Sequence, residues 1–546
     1  MNLSKLGLSA MLAAQHRLNT TGHNINNADT DGYNRQTVLS ATAGATATGA
    51  GYVGRGVQAV TVQRAYDSFL QRQLVAAQTK GAELVSYGNE ITQINNLFAD
   101  PGVGIGPALK DFFAGMQAVA SEPGDPAARQ ELLGRAASLV GQVNDTSNFL
   151  QEQYNNVNTQ IHTVVSQVNS HLERIHELNR QVTAARAATT GHEPNDLLDQ
   201  RDQLVAELSQ LVGVKVIEQD GLVNLTVGNG QVLLGGDTVF PLQAVPSAAD
   251  PSRVVVAYTA QVGGVTQSME MREESIKGGQ LGGLIAYRRE ALDSVQNDIG
   301  RLAVGLAMAF NAQHTQGADL QGNPGGDFFS LGSIVVRQGE HNAAGTHDIG
   351  ATFVDANALS GQDYRITFDG AAYTVTRVPD GTTFNLNDGD TIDGVQFNFT
   401  SGTAAAGDSW LVQPTRDAAR NLSLVISDPA HIAAAAAGAG RADGENARAL
   451  AKLQTDKVLG GGSMSLTEAF SQVVNKVGVL TQKNATAAKA QSSLIAQNYA
   501  AQQAVSGVNL NEEQLNLDRY LEQFRAASRM IDVSTQLFDT LLSLRA

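Results

Sequence analysis

The sequence has no cysteine, so disulfide bonds, thiolate metal sites and cysteine nucleophiles are excluded. Aromatic residues make up 5% of the chain, and tryptophan occurs once, at Trp410. Such a composition is weak for one large apolar core and suits long helices that bury apolar stripes against neighbours. No run reaches the roughly 18 consecutive apolar residues of a membrane-spanning helix. We therefore expect no membrane partner.

Positive charge is also scarce, with 37 Lys and Arg against 53 Asp and Glu and a formal net charge of -16. An acidic surface repels nucleic acid and anionic lipid, so we expect neither as a partner. The length of 546 residues exceeds what one compact core accommodates, and several domains are expected.

The first fifteen residues, MNLSKLGLSAMLAAQ, faintly resemble a secretory signal because one lysine precedes a mildly apolar run. Gly7 and Ser9 interrupt that run. Helical spacing is kept by Leu3, Leu6, Ala10 and Ala13. A retained N-terminal helix is the favoured interpretation.

Two segments near opposite ends of the chain carry an apolar residue at every seventh position. The stripe residues of the first segment are Leu70, Leu84, Ile91 and Phe98, and those of the second are Leu510, Leu517, Phe524, Ile531 and Phe538. A sustained seven-residue repeat indicates helices that supercoil on partner helices. For either segment alone, an ordinary core helix is the alternative. The presence of both favours a bundle that joins the two ends of the chain, with these residues as its helix-packing interface.

Between the ends the pattern changes from helix to strand. Residues 106–211 have apolar residues at three- and four-residue spacing, which is typical of helices. Residues 333–414 alternate, and YRITFDGAAYTVTRV predicts a hairpin that turns at Asp369-Gly370. Ser465 and Glu468 form a capping box that predicts the start of another helix.

These patterns predict an α+β, multidomain fold with three layers. Paired terminal helices form a coiled-coil-like inner domain, long helices with β-hairpins form a middle domain, and a β-rich outer domain is inserted into it. The predicted divisions are residues 1–100 for the N-terminal half of the inner domain with an extended segment, 101–332 for the middle domain with β-hairpins at 213–270, 333–415 for the outer domain, 416–460 for the return through the middle domain, and 461–546 for the C-terminal helices that complete the middle and inner domains.

Signatures of catalysis and metal binding fail on spacing. Asp388, Asp390 and Asp393 suggest a calcium loop, but Phe399 stands where the bidentate glutamate belongs. His171 and His176 would point about 140° apart on a helix and cannot share a metal ion. We expect no enzymatic activity, no cofactor and no metal site.

The stretch NINNADTDGYNRQ, residues 24–36, is predicted to leave a helix through turns. Gly22 is expected to end the first helix, and Gly32 is expected to supply a positive φ before an extended segment. Turn chemistry does not account for Tyr33 followed by Arg35.

This stretch resembles the N-terminal signature of bacterial flagellar axial proteins, which reads Asn-Ile-Ala-Asn, then Thr-Pro-Gly-Tyr, then a basic residue. The matching residues are Asn24, Ile25, Asn27, Thr30, Gly32, Tyr33 and Arg35, and Gln36 completes a Tyr-Asn-Arg-Gln ending similar to that of the hook–filament junction member. Asn26 and Asp31 depart from the pattern, where alanine and proline are usual. Asp31 removes the fixed φ of proline but is itself a good turn residue.

The other end of the chain is similar to the C-terminal block of the same family, with acidic Glu512 and Glu513 followed by a helix that closes on Leu-Phe-Asp-Thr-Leu-Leu. The resemblance implies that the terminal helices pair into an inner coiled coil. It also implies that copies pack into a ring that joins hook to filament and allows flagellin to polymerise. The implied location is extracellular, in the flagellum, after export without a cleaved signal peptide.

The partners implied by the resemblance are further copies of the chain, the hook protein, a second hook–filament junction protein and a flagellar export chaperone. The candidate chaperone-binding stripe comprises Leu517, Leu521, Phe524, Ile531, Leu537, Phe538 and Leu541. Two alternatives stay open. The chain could be another flagellar axial protein, of the hook, rod or second junction, or a secreted adhesin that binds through the β insert.

Overall fold

The computed structural model describes residues 3–49, 51–99, 104–189, 192–219, 221–400 and 402–544. The α-helices within these ranges are α1 (Leu3–Asn26), α2 (Ser68–Ala99), α3 (Ile105–Ser121), α4 (Pro126–Ala188), α5 (Asn195–Leu211), α6 (Gly279–Tyr287), α7 (Asp293–His314), α8 (Glu445–Lys452), α9 (Leu466–Ser506) and α10 (Leu510–Ser543). A short π-helical segment, Arg288–Leu292, joins α6 to α7. None of the described helices is both long and apolar enough to cross a membrane.

The strands fall into three groups along the chain. An N-terminal ribbon is formed by β1 (Gln36–Thr42), β2 (Ala45–Thr48), β3 (Gly51–Gly54) and β4 (Val57–Arg64), and two sheets follow from β5 (Val214–Gln219), β6 (Leu222–Val227), β7 (Gln231–Gly235), β8 (Thr238–Val239), β9 (Leu242–Pro246), β10 (Val254–Val262) and β11 (Val265–Glu270). The remaining strands are β12 (Gly317–Ala318), β13 (Phe329–Ser330), β14 (Val335–Gln338), β15 (Ile349–Phe353), β16 (Asp363–Phe368), β17 (Tyr373–Val378), β18 (Thr383–Leu386), β19 (Thr391–Ile392), β20 (Val395–Phe399), β21 (Ser409–Gln413), β22 (Ser423–Leu424) and β23 (Ala435–Ala436).

The prediction of an α+β, multidomain fold is confirmed. Helices enclose sheets whose described strand pairs are all antiparallel, and the larger sheets have the orders β5-β6-β7-β8, β11-β10-β9, β14-β21-β16-β17-β18 and β15-β20-β19. The predicted hairpin at Asp369-Gly370 is the β16–β17 pair, with Phe368 opposite Tyr373. The capping box at Ser465 and Glu468 opens α9 as predicted. The domain boundaries stay predictions, and the one at residues 100–101 lies outside the described residues.

The first and last helices run antiparallel and pack on each other. Arg17 of α1 donates a hydrogen bond from Nη1 to Gln523 Oε1 over 3.1 Å. Closer to the chain ends, a Cβ atom at Gly7 would lie 2.8 Å from Ile531 Cγ1. Glycine at this position therefore lets the two helix backbones approach more closely than any larger residue would allow.

The second pair of long helices is α2 with α9, and polar side chains make much of its interface. Phe98 and Phe470 meet edge to face at one end, with ring centroids 6.1 Å apart. Along the pair, side-chain amides of α9 donate to main-chain carbonyl oxygens of α2 at Asn484–Leu84 (2.9 Å), Gln491–Ala77 (2.8 Å) and Asn498–Gln73 (3.3 Å). Because these amides are satisfied, they can lie in the interface without the cost of burying an unpaired polar group.

Two details of the terminal helices differ from the sequence prediction. Helix α1 does not end at Gly22 but continues to Asn26. The two seven-residue stripes also have different partners, since the α2 stripe packs on α9 and α6 whereas the α10 stripe packs on α1. A pattern of apolar residues reports that a face is covered, but it does not identify the partner.

The insert, residues 333–415, supplies most of a second hydrophobic cluster that also includes Val304 of α7 and is separate from the large cluster of the helical body. Trp410 belongs to this cluster, is fully buried, and donates from Nε1 to His347 O over 3.0 Å. The cluster also contains Tyr364, Ile366 and Phe397. The short turn at Asp393-Gly394, with φ of 48° and 79°, joins β19 to β20.

Buried ion pairs tie the insert to the helical body. Asp293 of α7 accepts hydrogen bonds from Arg253 over 2.8 Å and from Arg416 over 3.0 Å. Arg416 also donates to Asp363 of β16 over 2.6 Å. Burial alone would raise the pKa of Asp293, but the two guanidinium groups lower it to about 2. Each of these buried guanidinium and carboxylate groups therefore has a partner of opposite charge.

A buried histidine in α7 links the helical body to the segment after β22. His314 Nδ1 lies 2.8 Å from Gly326 O, and Nε2 accepts from Ala433 N over 2.9 Å. The ring must therefore be neutral, with its proton on Nδ1. Burial lowers the pKa of His314 below its ordinary value of 6.5, although the hydrogen bond to Gly326 and the charge of Asp327 oppose the shift.

We predict that acid destabilises the protein through His314. Because the folded state holds the ring neutral, stability is complete above the unfolded-state pKa and falls as pH decreases from about 6.5, by up to ~1.4 kcal/mol per pH unit. Urea unfolding followed by circular dichroism should show this slope in the wild type and in the exposed control His162→Gln, but a smaller slope in His314→Gln. Equal slopes in the two variants would contradict the prediction.

Candidate assembly site

The N-terminal motif leaves α1 through two consecutive turns. Thr30 N donates to Asn27 O over 3.0 Å, and Tyr33 N donates to Thr30 O over 3.2 Å. Gly32 has a φ of +78°, and a Cβ atom there would lie 2.9 Å from Gln203 Cβ. The positive φ agrees with the sequence prediction, and the close approach of α5 is a second reason why glycine is required here.

Asn24 is the best-connected side chain of the motif. Its Oδ1 accepts from the Tyr33 hydroxyl over 2.7 Å and from Gln36 N over 2.9 Å. Its Nδ2 donates to Gln36 O over 2.9 Å and to Glu513 Oε2 over 3.2 Å. All four hydrogen bonds that an asparagine amide can make are formed at a residue that is 1% exposed.

Arg35 connects the same turn to the start of α10. It donates from Nε to Glu513 Oε1 over 2.7 Å and from Nη2 to Glu512 Oε1 over 2.6 Å. Its main-chain N–H donates to Ser506 O, at the end of α9, over 2.9 Å. Burial alone would lower the pKa of Arg35, but the hydrogen bonds to the two carboxylates raise it above its ordinary value.

We call Asn24, Tyr33, Arg35, Gln36, Glu512 and Glu513 the end-joining network. It unites the two segments that the sequence singled out, the N-terminal motif and the acidic pair of the C-terminal block. Asn509 caps α10 by accepting from Asn511 N and Glu512 N, which holds the acidic pair at the helix N-terminus, where negative charge is favoured.

A second set of contacts fixes the motif to α5. Asp199 accepts from Asn34 N over 2.9 Å and from Asn34 Nδ2 over 2.6 Å. Arg64 at the end of β4 donates to Asp199 over 2.8 Å and to Asp202 over 2.9 Å. Burial raises the pKa of Asp199, and the bonds from Asn34 and Arg64 only partly offset that.

Tyr33, a member of the end-joining network, also lies close enough to Asp199 of this second set to interact with its charge. Its ring meets His23 edge to face, with ring centroids 5.5 Å apart. Burial raises the pKa of Tyr33, and the carboxylates of Asp196, Asp199 and Glu513 raise it further. The phenol therefore stays protonated and serves as the hydrogen-bond donor to Asn24.

The predicted motif residues thus divide by role. Asn24, Arg35 and Gln36 make the long-range bonds, and Tyr33 supports Asn24 from nine residues away. Asn27, Thr30 and Gly32 shape the turns, and Ile25 is half-buried on α1. Sequence reasoning missed Asn34, Arg64, Asp196, Asp199 and Asp202. A signal for the last three was present, because residues three apart share one face of a helix.

A cleft of about 540 Å³ opens between the motif turns and helices α4 and α5. Apolar atoms come from Tyr33, Leu178 and Leu204, and the carboxylates that line it belong to Asp31, Glu177, Asp196, Asp199 and Glu207, against the single guanidinium of Arg174. Within the described ranges, no group of three or more His, Asp and Glu residues is placed to hold a metal ion. The cleft is thus mixed in character, with apolar patches and a surplus of negative charge.

The α10 stripe is covered only in part. Leu517, Phe524 and Ile531 are half-buried where α10 packs on α1. By contrast, Leu510 is 51% exposed and Phe538 is 61% exposed, so neither is covered within the chain. Further exposed apolar side chains on the two helices are Leu8, Leu12, Leu515, Leu521, Val533, Leu537, Leu541 and Leu542.

We predict that Glu513→Ala detaches the chain ends from each other. Removing a buried carboxylate leaves Arg35 and Asn24 short of an acceptor, and losing one partner of a buried pair costs ~3–5 kcal/mol. Hydrogen exchange measured by mass spectrometry should become faster in residues 20–36 and in the first turns of α10. Glu522→Ala is the matched control, because Glu522 is an exposed α10 carboxylate paired with Arg525, worth under ~1 kcal/mol. Similar exchange in both variants would contradict the prediction.

Family models match three parts of the chain. The model described as flagellar hook-associated protein FlgK helical domain matches residues 91–329. The model for flagellar hook-associated protein 1, D2-like domain, matches residues 338–414, and that for flagella basal body rod protein matches residues 6–34. The last match spans most of α1 and much of the N-terminal motif.

Curated relatives are similar along nearly the whole chain. Flagellar hook-associated protein 1 of Salmonella typhimurium (strain LT2) is 40% identical over 550 residues, covering 98% of this chain and 99% of the relative. The protein of the same name from Escherichia coli (strain K12) is 39% identical over 544 residues, covering 98% of each. That of Bacillus subtilis (strain 168) is 24% identical over 572 residues, covering 98% of this chain and 96% of the relative.

A solved structure is also similar, that of the flagellar hook junction protein FlgK from Burkholderia pseudomallei. It has 28% sequence identity and a TM-score of 0.74, and the match covers 80% of this chain and 100% of that one. The full-length identity to curated relatives agrees with the motifs at both chain ends that the end-joining network brings together. The chain belongs to the flagellar hook-associated protein 1 family.

Proposed function

We propose that this chain is a structural subunit of the bacterial flagellum whose copies form the ring that joins hook to filament and on which flagellin polymerises. The observation that carries the proposal is the end-joining network, in which Arg35 and Asn24 bind Glu513 of the opposite chain end. A subunit closed in this way can transmit force along the paired helices α1 and α10. The family membership supports the same conclusion.

The exposed apolar side chains of α1 and α10 are the surfaces for neighbouring copies in this proposal. Leu8 and Leu12 of α1 and Leu537, Phe538 and Leu541 of α10 face solvent in the single chain. Burying such a side chain contributes about 1.5–3 kcal/mol. Side-by-side packing of subunits would cover them, and the predicted packing roles of Leu510 and Phe538 belong to these contacts between copies.

The proposed position of the subunit in the flagellar axis gives it two partners, the hook protein on one side and the second hook–filament junction protein on the other. The third is an export chaperone that captures the α10 stripe. Since α1 half-covers Leu517, Phe524 and Ile531, chaperone binding to the full stripe requires α10 to be separated from α1. The proposed export-competent state is therefore one in which the end-joining network is open.

Export without a cleaved signal peptide is part of the same proposal. Helix α1 carries Asn24 and supplies one half of the terminal helix pair. Cleavage after the apolar N-terminal run would remove much of α1 and leave the α10 stripe uncovered. The extracellular flagellum is the proposed location.

The alternatives have less support. A hook, rod or second junction protein fits the N-terminal motif, but the similarity to hook-associated protein 1 extends over 98% of the chain. An adhesin would act through the insert, and the D2-like family match falls on that same insert. The proposed function requires no catalysis.

We predict that cells lacking this gene build hooks without filaments and release unpolymerised flagellin. Electron microscopy and an assay of flagellin in the medium measure the two effects. The full chain should restore filaments, whereas a chain lacking residues 517–546 should not, because α1 would lose its helical partner. Normal filaments in the deletion strain would exclude the junction function.

We also predict that exposed leucines of α10 carry chaperone affinity. Leu537→Ser with Leu541→Ser removes two apolar anchors and should weaken binding at least tenfold, since each is worth about 1.5 kcal/mol or more. Isothermal titration of the purified chain with the purified chaperone measures this. Leu515→Ser is the control, because Leu515 is exposed on α10 but lies outside the stripe. Equal weakening by the control would refute the assigned stripe.

A further inference from the structure

An exposed β arm extends from the N-terminal ribbon. We define it as residues 44–49 and 51–55, all of which are exposed. Tyr52, at 84% exposure, is the most exposed large apolar side chain in the described part of the molecule. Added Cβ atoms would meet no other atom within 4 Å at Gly44, Gly49, Gly51 and Gly54. The β arm therefore presents an aromatic ring and the cation of Arg55 without support from the rest of its own chain.

The base of the β arm is held firmly. The ribbon is continuous there, because Ala43 N donates to Gly56 O and Arg55 N donates to Gly44 O, each over 2.9 Å. Gly56 has a positive φ and abuts the Ser9 side chain of α1 so closely that a Cβ atom would clash. A projecting tyrosine on an anchored hairpin loses little conformational freedom when it is buried in a partner.

The β arm cannot reach the cleft of its own chain. The ribbon runs along α1 away from the motif, since Gln36 lies beside Asn24 and Ser40 accepts from Arg17 over 3.1 Å. The arm begins next to Ser9, fourteen residues from the cleft-lining His23, which is about 21 Å along the helix at 1.5 Å per residue. A cleft of this kind that accepts the arm must therefore belong to another molecule.

The cleft and the β arm are chemically complementary. Leu178, Leu204 and Tyr33 offer apolar atoms suited to an aromatic ring. Carboxylates of Glu177 and Glu207 line the same cleft and suit a guanidinium group. A volume of about 540 Å³ lies within the ~300–1,000 Å³ of pockets that enclose a ligand of several side chains. Charge of opposite sign on the two surfaces favours this pairing over contact between two arms or two clefts.

We propose that the β arm of one copy seats in the cleft of the next copy, with Tyr52 against Leu178 and Leu204 and with Arg55 paired to Glu177. The occupant is thus a second copy of this chain, and the inference rests on the proposed ring. Because the two contacting surfaces differ, the contact repeats from copy to copy in one direction, and such a contact closes into a ring when the rotation fits. It adds a cross-link between subunits at a site distinct from the exposed leucines of α10.

The absence of native cysteine allows a direct test by cross-linking. A chain with Tyr52→Cys and Gln200→Cys, one change in the β arm and one in the cleft lining, is expressed in the deletion strain, and isolated flagella are treated with a short bis-maleimide. Denaturing gels should show a ladder of covalent dimers and larger multiples. Each single variant, and a control pair of Tyr52→Cys with Thr383→Cys in the insert, should stay monomeric.

Filaments present on cells whose double-cysteine chain stays monomeric after treatment would overturn the inference while leaving the junction function intact. If the proposed junction function is itself wrong, the result is different, because filaments are then normal in the deletion strain.

A second measurement applies if the chain with the two cysteines fails to assemble. Arg55→Glu and Glu177→Arg should each reduce the filament count at least fivefold, and the two together should restore it. Failure of the double reversal to restore filaments would likewise overturn the inference.

Discussion

A buried carboxylate, Glu513, is the contact on which the arrangement of this chain depends. It is 1% exposed and accepts from Asn24 and Arg35, residues separated from it by 489 and 478 positions. A buried charge is tolerated only when partners satisfy it, so these bonds can form in one register of the chain ends. A shift of one residue in α10 would turn the carboxylate by about 100° and leave it unpaired. The end-joining network therefore sets how α1 lies on α10.

The rest of the chain lies, in sequence, between the two paired ends. The pair α2 and α9 lies next along the chain, then the large hydrophobic cluster of the helical body, then the insert with its separate cluster around Trp410. Polar contacts connect the layers in addition to the apolar contacts of the large cluster. Arg35 bonds to the end of α9, and Arg416 bonds to both α7 and β16. Such directional contacts orient one layer on the next in a way that apolar burial alone does not.

The contacts between the two chain ends also determine which surfaces are exposed to other molecules. With α1 on α10, one face of each helix is used within the chain and the leucines of the opposite faces are exposed. With the motif turns on α5, a cleft lined by carboxylates is formed, and the ribbon carries the β arm away from it. The end-joining network and the exposed apolar side chains of α1 and α10 thus come from the same few segments at the two ends of the chain.

The sequence by itself determined the local structure and the family. Apolar residues at seven-residue spacing predicted helices, and apolar residues at two-residue spacing predicted strands. Asp369-Gly370 predicted a turn, Ser465 with Glu468 predicted a helix cap, and the motif at residues 24–36 predicted the site. Each of these features depends on neighbours along the chain. It also placed Tyr33 and Arg35 in the motif before any partner was visible. Only these short-range features can be read without knowing the fold.

The tertiary structure alone decided which segments meet. Periodicity cannot distinguish α1 from α2 as the partner of α10, and the amides by which Asn484, Gln491 and Asn498 bind α2 have no apolar signature at all. Gly22 ends no helix, because the bonds of Asn24 to Gln36 and Glu513 extend α1 past it. The roles of Asp199 and Arg64 likewise depend on bonds between segments 135 residues apart. Long-range hydrogen bonds and buried charges form only once the chain has folded, so a one-dimensional pattern does not contain them.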